Sequence, residues 1–270
     1  GLIIHPVIRG IDLVEEINGE VVVRVGAGEN WDDFVSYCVK NGWCGIENLS
    51  WIPGLVGACP VQNIGAYGTE VMDLIDTVEG YNLESGLKFS LPAKECKFSY
   101  RNSIFKNELK NKVIITHVLF RLNKENRFNT AYPDVHKALQ QVDTISLQTI
   151  REAIIEIRKR KLPDPSEIGN AGSFFKNPVV TESISHHLKT LYPSLPVYKM
   201  DNGTDKLSAA WLIDQCGWKG KRMGNAGTHI HQPLILVNLG GAAGSEILDL
   251  AKSIQQSVFK QFTIHLEMEV

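Results

Sequence analysis

The stretch from Trp51 to Gly68 (WIPGLVGACPVQNIGAYG) limits the possible folds more than any other part of the sequence. Its four glycines and two prolines interrupt both helical and strand hydrogen bonding. Yet Ile52, Leu55, Val56, Val61 and Ile64 make it apolar, which solvated loops seldom are. A chain that keeps such a loop must give it something flat and apolar to lie against.

A second stretch, Gly169-Asn170-Ala171-Gly172-Ser173-Phe174-Phe175-Lys176-Asn177-Pro178, is too rich in small and polar residues to be a core helix or strand. Gly169 and Gly172 permit φ > 0 and close backbone approach. Phe174 and Phe175 are apolar bodies that would fix the turn from behind. Ser173 is then held rigidly, facing the space that the glycines leave. The alternative is a glycine turn whose serine caps local backbone groups.

Around these two stretches the pattern mixes helices and strands. Gly1-Leu2-Ile3-Ile4 reads as the middle of a strand, with no initiator methionine before it. Val21 to Val25 is a strand ending in Gly26-Ala27-Gly28. Asn30 caps a helix with Trp31, Phe34, Val35 and Cys38 on one face, closed by Gly42. Thr77 to Leu83 and Lys88 to Leu91 form a hairpin about Ser85-Gly86, followed by the turn-rich Phe98 to Ser103. Val113 to Leu122 is a strand, with a short connector to Tyr132.

Ser146 caps a helix with Leu147, Ile150, Ile154 and Ile157 at helical spacing. It ends in Arg158-Lys159-Arg160-Lys161, which suits the helix dipole and reads as a solvated helix end. Pro163 and Pro165 mark a domain boundary. Later come a helix from Leu207 to Cys216, a strand from Pro233 to Asn238 and a helix from Ser245 to about Phe262. A last strand from Thr263 to Glu269 alternates Ile264, Leu266 and Met268 with His265, Glu267 and Glu269. Without a regular βαβ rhythm the class is α+β.

A net charge of -2 gives no basic field for nucleic acid and no polybasic membrane patch. Apolar runs such as Ile235-Leu236-Val237 are far shorter than the ~20 residues of a membrane span. The five cysteines, odd in number and without a C-x-x-C pair, point to reduced thiols in the cytosol and away from a zinc site. His186-His187 and His229-x-His231 have no carboxylate or thiol at metal spacing, so no metal is expected. Gly26-Ala27-Gly28 lacks the third glycine of a dinucleotide fingerprint, and Ser173 lies outside a G-x-S-x-G elbow.

Six segments remain, in order. They are Ile52-Pro53-Gly54 to Gly68, Tyr100-Arg101-Asn102-Ser103-Ile104-Phe105-Lys106, Lys161-Leu162-Pro163-Asp164-Pro165, Gly169 to Pro178, Ala210-Trp211-Leu212-Ile213-Asp214-Gln215-Cys216 and Leu266-Glu267-Met268-Glu269-Val270. Together, over nearly the whole chain, they closely resemble UDP-N-acetylenolpyruvoylglucosamine reductase, the MurB family of peptidoglycan synthesis. The tyrosine segment around Tyr132 resembles the long-insert type of that family.

The resemblance implies a fold of a flavin-binding domain (its second FAD lobe) followed by an α/β substrate domain. The expected division is residues 1–162 for FAD, 163–265 for the UDP-sugar, and 266–270 as the start of a strand returning to the flavin domain. The implied cytoplasmic enzyme is a UDP-N-acetylmuramate dehydrogenase, expected as a monomer. It uses NADPH and FAD to reduce UDP-N-acetylglucosamine enolpyruvate. By motif match Ser173 donates a proton, and Arg101 and Glu269 polarise the substrate. Tyr132, Lys161, Asn177 and Gln232 contact the UDP-sugar. Pro53, Gly54, Gly57, Ala58, Val61, Gly65, Ala66 and Ile115 lie against the flavin.

The residue chemistry agrees with those roles. Hydride arriving at the terminal carbon of an enol ether leaves negative charge beside the substrate carboxylate. Arg101 and a protonated Glu269 can meet that charge, and a fixed Ser173 hydroxyl can give the neighbouring carbon its proton. Family members carry a Gly-Ser-Asn loop ahead of the point where this chain starts, and continue beyond Glu269. The sequence therefore reads as trimmed at both ends. Two alternatives follow: a flavin-deficient fragment that only binds the UDP-sugar, and a flavoprotein oxidase, against which Lys161, Asn177 and Gln232 argue.

Overall fold

The computed structural model describes residues 5–125, 127–140, 142–200 and 203–270. The strand expected at residues 1–4 lies outside them. Residues up to Arg158 form one compact unit, and residues from Lys159 onward form another. Every strand pairing among the described residues is antiparallel, as an α+β chain requires.

In the first unit, β1 (Ile11–Ile17) and β2 (Glu20–Gly26) are followed by α1 (Trp31–Lys40). The Asn30 side chain accepts from the backbone N–H groups of Asp32 (2.9 Å) and Asp33 (3.1 Å), which starts α1 as expected. A short hairpin, β3 (Gly65–Ala66) and β4 (Thr69–Glu70), closes the apolar loop. Then come β5 (Ile75–Asn82), β6 (Lys88–Pro92) and β7 (Val113–Asn123). The five long strands form one sheet in the order β1-β2-β7-β5-β6. The apolar stripe of α1 packs on it, with Phe34 and Phe120 rings 4.8 Å apart and Trp31 edge-on to both.

Pro133 opens α2 (Pro133–Leu139), a helix between Tyr132 and Ser146, where the sequence pattern assigns no element. Val135 and Leu139 bury against Ile150, Ile154 and Ile157 of α3 (Leu147–Lys161), which begins as expected with Ser146 Oγ accepting from Thr149 N–H. The division between the two units falls within the last turn of α3, after Arg158 rather than after Leu162.

The second unit holds β8 (Gly169–Ser173), β9 (Val179–Thr181), α4 (Glu182–Leu191), β10 (Val197–Lys199) and β11 (Thr204–Leu207). After them come α5 (Ala209–Gln215), β12 (Arg222–Met223), β13 (Ala226–Thr228), β14 (Ile235–Asn238) and α6 (Gly244–Phe262). One sheet runs β12-β13-β14-β8 and a smaller one β10-β11-β9. Their core joins Leu212 and Ile213 of α5 to Leu250, Ile254, Val258 and Phe262 of α6. Leu207 belongs to β11, so α5 starts later than its expected Leu207, with Ser208 as its cap.

Two expectations change here. The Gly169 stretch is a strand, although one at a sheet edge with its residues exposed or half-buried. The closing stretch is not a regular strand. Thr263 takes a left-handed conformation (φ 58°) that ends α6, after which Ile264 and Leu266 are buried and a single bridge joins Met268 to Phe175. Residues 266–270, expected to head back to the flavin domain, here pair with Phe174–Lys176 of the second unit. No helix among the described residues is long and apolar enough to cross a membrane.

Phe34 is fully buried between α1 and the sheet. Phe34→Ala should destabilise the first unit by about 3–5 kcal/mol, the usual cost of emptying an aromatic core site. A lower urea midpoint for the transition of that unit is the expected result, and an unchanged midpoint would mean that the aromatic cluster does not hold the sheet and helix together.

Candidate active site

The apolar loop lies against the sheet. Its turn Val56–Ala58 contacts β2 and β7. Gly57 N–H donates to the Ala27 carbonyl (2.9 Å), and Ala27 N–H to that of Thr116 (2.8 Å). A Cβ on Gly57 would sit 2.6 Å from the Ala27 Cβ, so this contact admits only glycine without displacement. Val56 and Cys59 are buried beneath, while Pro53, Gly54 and Ala58 are exposed on the rim. Val61, Ala66 and Ile115 are half-buried and pack on the same core. The outward surface is therefore a row of small residues over an apolar floor.

Arg101 sits in the left-handed region (φ 51°) within the Ser99–Asn102 turn. Its guanidinium donates to the carbonyls of Asn63 (3.2 Å) and Gly65 and lies 3.9 Å from Glu70 Oε1. Two neighbours that the sequence did not flag fix this corner. Buried Asn63 donates to Glu70 Oε2 (2.7 Å) and to the Ser99 carbonyl (3.0 Å), and accepts from Met72 N–H (2.9 Å). Arg101 is thus a cation with its direction set by main-chain carbonyls.

In the second unit, β14 pairs Ile235 with Ser173 and Val237 with Asn170, so two β14 steps face three on β8. This is a bulge, with Gly172 in the left-handed position (φ 74°). Asn170 locks it: Oδ1 accepts from Gly172 N–H (3.0 Å), and Nδ2 donates to the Ile168 carbonyl (2.9 Å). Gly169, expected to share the left-handed role, does not. Ser173 follows the bulge and is exposed. The next residue, Phe174, is buried, and its carbonyl accepts from Glu269 N–H (2.9 Å). The main chain of Glu269, also expected to act on the substrate, is thereby paired with the residue that follows Ser173.

Of the expected sugar-nucleotide contacts, Tyr132 is in the first unit, ring edge to Tyr67 at 5.2 Å. Lys161 ends α3 and is half-buried. Asn177 Oδ1 accepts from Ala209 N–H (2.9 Å) at the start of α5, so the amide is oriented by that helix. The Gln232 carbonyl accepts from Ile235 N–H (3.0 Å), beside the Ser173 pairing. His229 is half-buried. Burial, with His231 nearby, lowers its pKa, and its Nδ1 is buried without a hydrogen-bond partner. Among the described residues, no three His, Cys, Asp or Glu side chains gather as a metal site. A separate cleft of about 500 Å³ where β5 begins and β7 ends, beside Cys44 and Gly45, contains none of the expected residues, and its Asp76 and Arg121 pair with each other at 2.7 Å.

Comparison with known proteins adds a decisive fact. The reductase of that name from Amoebophilus asiaticus, UDP-N-acetylenolpyruvoylglucosamine reductase, is 47% identical over 272 residues, covering 100% of this chain and 80% of its own length. This chain belongs to the UDP-N-acetylenolpyruvoylglucosamine reductase family. The Bacteroides fragilis reductase is also 47% identical, over 270 residues, covering 100% of this chain and 81% of its own. The family model for the C-terminal domain of UDP-N-acetylenolpyruvoylglucosamine reductase matches residues 164–270, and that for an FAD binding domain matches residues 7–84. The crystal structure of UDP-N-acetylenolpyruvylglucosamine reductase (MurB) from Thermus caldophilus aligns with a TM-score of 0.63 at 25% identity, covering 91% of this chain and 70% of that one.

The FAD-binding match includes the apolar loop and Ala27, on which Gly57 rests. A flat ring suits the small-residue rim there, so the residues present fit a reductase flavin. The frame of that loop includes a partly buried ion pair. Arg151 holds Asp32 through two 2.7 Å bonds, and Asp32 Oδ1 also accepts from Trp51 N–H at 2.5 Å.

Burial alone would raise the Asp32 pKa. The Arg151 and Trp51 hydrogen bonds and the Arg151 and Arg158 charges outweigh it and hold the carboxyl below its ordinary value. A depressed carboxyl stabilises the fold above its unfolded pKa, and that contribution is lost as pH falls through the folded pKa. Asp32→Asn should therefore cost stability at about pH 7, with the deficit shrinking toward about pH 3. Urea titrations of both proteins at the two pH values check this, and an equal deficit at both would refute the ion-pair account.

Proposed function

We propose that this chain is the NADPH-dependent, FAD-containing reductase that converts UDP-N-acetylglucosamine enolpyruvate to UDP-N-acetylmuramate. The observation that carries the reading is 47% identity to named reductases along the whole chain. The main chain of Glu269 pairs with Phe174, the residue after Ser173, so both belong to the second unit. When bound, FAD would supply the hydride-transfer chemistry that links NADPH to the substrate.

The chain's residues do the rest. Pro53, Gly54, Gly57, Ala58, Val61, Gly65, Ala66 and Ile115 would hold the flavin ring. Lys161 offers a cation to the diphosphate, Asn177 and Gln232 offer amide donors, and Tyr132 offers an aromatic edge. Arg101, aimed by two carbonyls, holds the substrate carboxylate and the negative charge that develops beside it. Glu269 shares that charge as a protonated donor. The Ser173 hydroxyl gives its proton to the carbon next to the carboxylate. The bulge suits this role because it fixes the hydroxyl by main-chain geometry, with little reorganisation during reaction.

Ser173→Ala should separate the two halves of turnover. Flavin reduction by NADPH requires no proton at the substrate carbon and should stay within about twofold of wild type. Reoxidation by the enolpyruvyl nucleotide should slow by roughly 10²–10⁴-fold, the range for a lost positioned acid. Stopped-flow absorbance of the flavin follows both. If both halves slowed equally, or neither did, Ser173 would have no part in proton transfer.

A further inference from the structure

The basic end of α3 reads from sequence as a solvated helix end, and Lys159 and Arg160 are indeed exposed. Arg158 departs from that reading. It is half-buried, and it lies two turns after Arg151 on the face that carries Ile150, Ile154 and Ile157. Arg158 Nε donates to the Trp51 carbonyl (3.1 Å), and its guanidinium is also hydrogen-bonded to the Tyr67 side chain.

Trp51 and Tyr67 stand at the two ends of the apolar glycine loop. Both are non-glycine residues in the left-handed region, with φ of 59° and 49°. Such residues persist only where the surroundings over-determine them. At Trp51, the N–H is held by Asp32, itself clamped by Arg151, and the carbonyl by Arg158. At Tyr67, the carbonyl accepts from Asn48 Nδ2 (2.9 Å), and the side chain binds Arg158. The Tyr67 ring in turn meets Tyr132 edge-on at 5.2 Å.

We infer that Arg158 is a positioning residue that sets the separation of the loop's two ends and, through Tyr67, the placement of Tyr132. The inference rests on the reading of that loop as the flavin floor and of Tyr132 as a nucleotide contact. A planar guanidinium spreads its donors over three nitrogens and can reach a carbonyl and a phenol oxygen at once, whereas an ammonium carries its three donors on one nitrogen. Arg158→Lys therefore keeps the charge and breaks the span. Tyr67→Phe removes one oxygen and keeps the ring that faces Tyr132.

Three full-length proteins test this: Arg158→Lys, Tyr67→Phe and the double variant. In the flavin-free state, amide hydrogen exchange across residues 51–67 should quicken about tenfold in Arg158→Lys and stay unchanged in α6. In the holoenzyme, KM for the enolpyruvyl nucleotide should rise about tenfold in each single variant, with kcat within about threefold. The double variant should be no worse than Arg158→Lys alone, because the two residues share one bond.

Unchanged KM and loop exchange in Arg158→Lys, with only a lower urea midpoint, would overturn the inference, as would additive KM effects in the double variant. Should Arg158→Lys fail to fold, Tyr67→Phe decides: raised KM at an unchanged urea midpoint supports the inference, and unchanged KM overturns it. A wild-type protein that does not turn over the enolpyruvyl nucleotide would remove the functional reading instead, and the loop exchange would still decide whether Arg158 holds the loop.

Discussion

The contact of Gly57 on Ala27 is the constraint on which the first unit's functional surface depends. The loop comes within van der Waals distance of the strand end only because neither backbone has a large side chain in the way. That approach lets the Gly57 N–H reach the Ala27 carbonyl and buries Val56 and Cys59. With the apolar side of the loop committed to the sheet, the small residues Pro53, Gly54 and Ala58 remain on the outside. Asn63 then ties the far part of the loop to Glu70, Met72 and Ser99, and Arg101 caps it through two carbonyls. Each of these bonds satisfies a polar group that would otherwise be stranded in an apolar setting.

Much of this was legible in the sequence, because helical and strand periodicities report burial directly. The stripe of α1, its Asn30 cap, the β5–β6 hairpin and the Ser146 start of α3 all appear where the spacing put them. The Gly169 segment was misjudged for a physical reason. Strand propensity measures fit to a half-buried pleat, and β8 is an exposed edge of small residues whose pairing comes from β14. Its partner, rich in buried Ile235, Leu236 and Val237, carried the signal instead. The closing residues failed the other way. Their alternation is real, with Ile264 and Leu266 buried, but only Met268 finds a strand partner.

The polar framework was hardest to read. Asn63, Asn170 and Arg158 look like ordinary hydrophilic residues in the sequence, since nothing local says which carbonyl each will meet. Arg158 left one clue, its two-turn spacing from Arg151 along the apolar face of α3. Asn170 left another, standing two residues before a glycine whose N–H it accepts. In both cases the side chain serves a backbone conformation, so the pattern that would reveal it is one of shape rather than of hydrophobicity.

The bulge before Ser173 has one more consequence. β14 is buried on both faces, with Leu236 in the helical core and Ile235 and Val237, which alternate with it, buried as well. A strand gripped from two sides cannot slide by one residue without exposing one set of side chains. The extra residue on β8 is counted from that strand, so β14 acts as a ruler and Gly172 as the mark on it. The hydroxyl can ride on the small elastic motions of the helices behind it, because its aim is counted in whole residues. An insertion or deletion of one residue between Asn170 and Ser173 would shift that aim in a way that no repacking of side chains could restore.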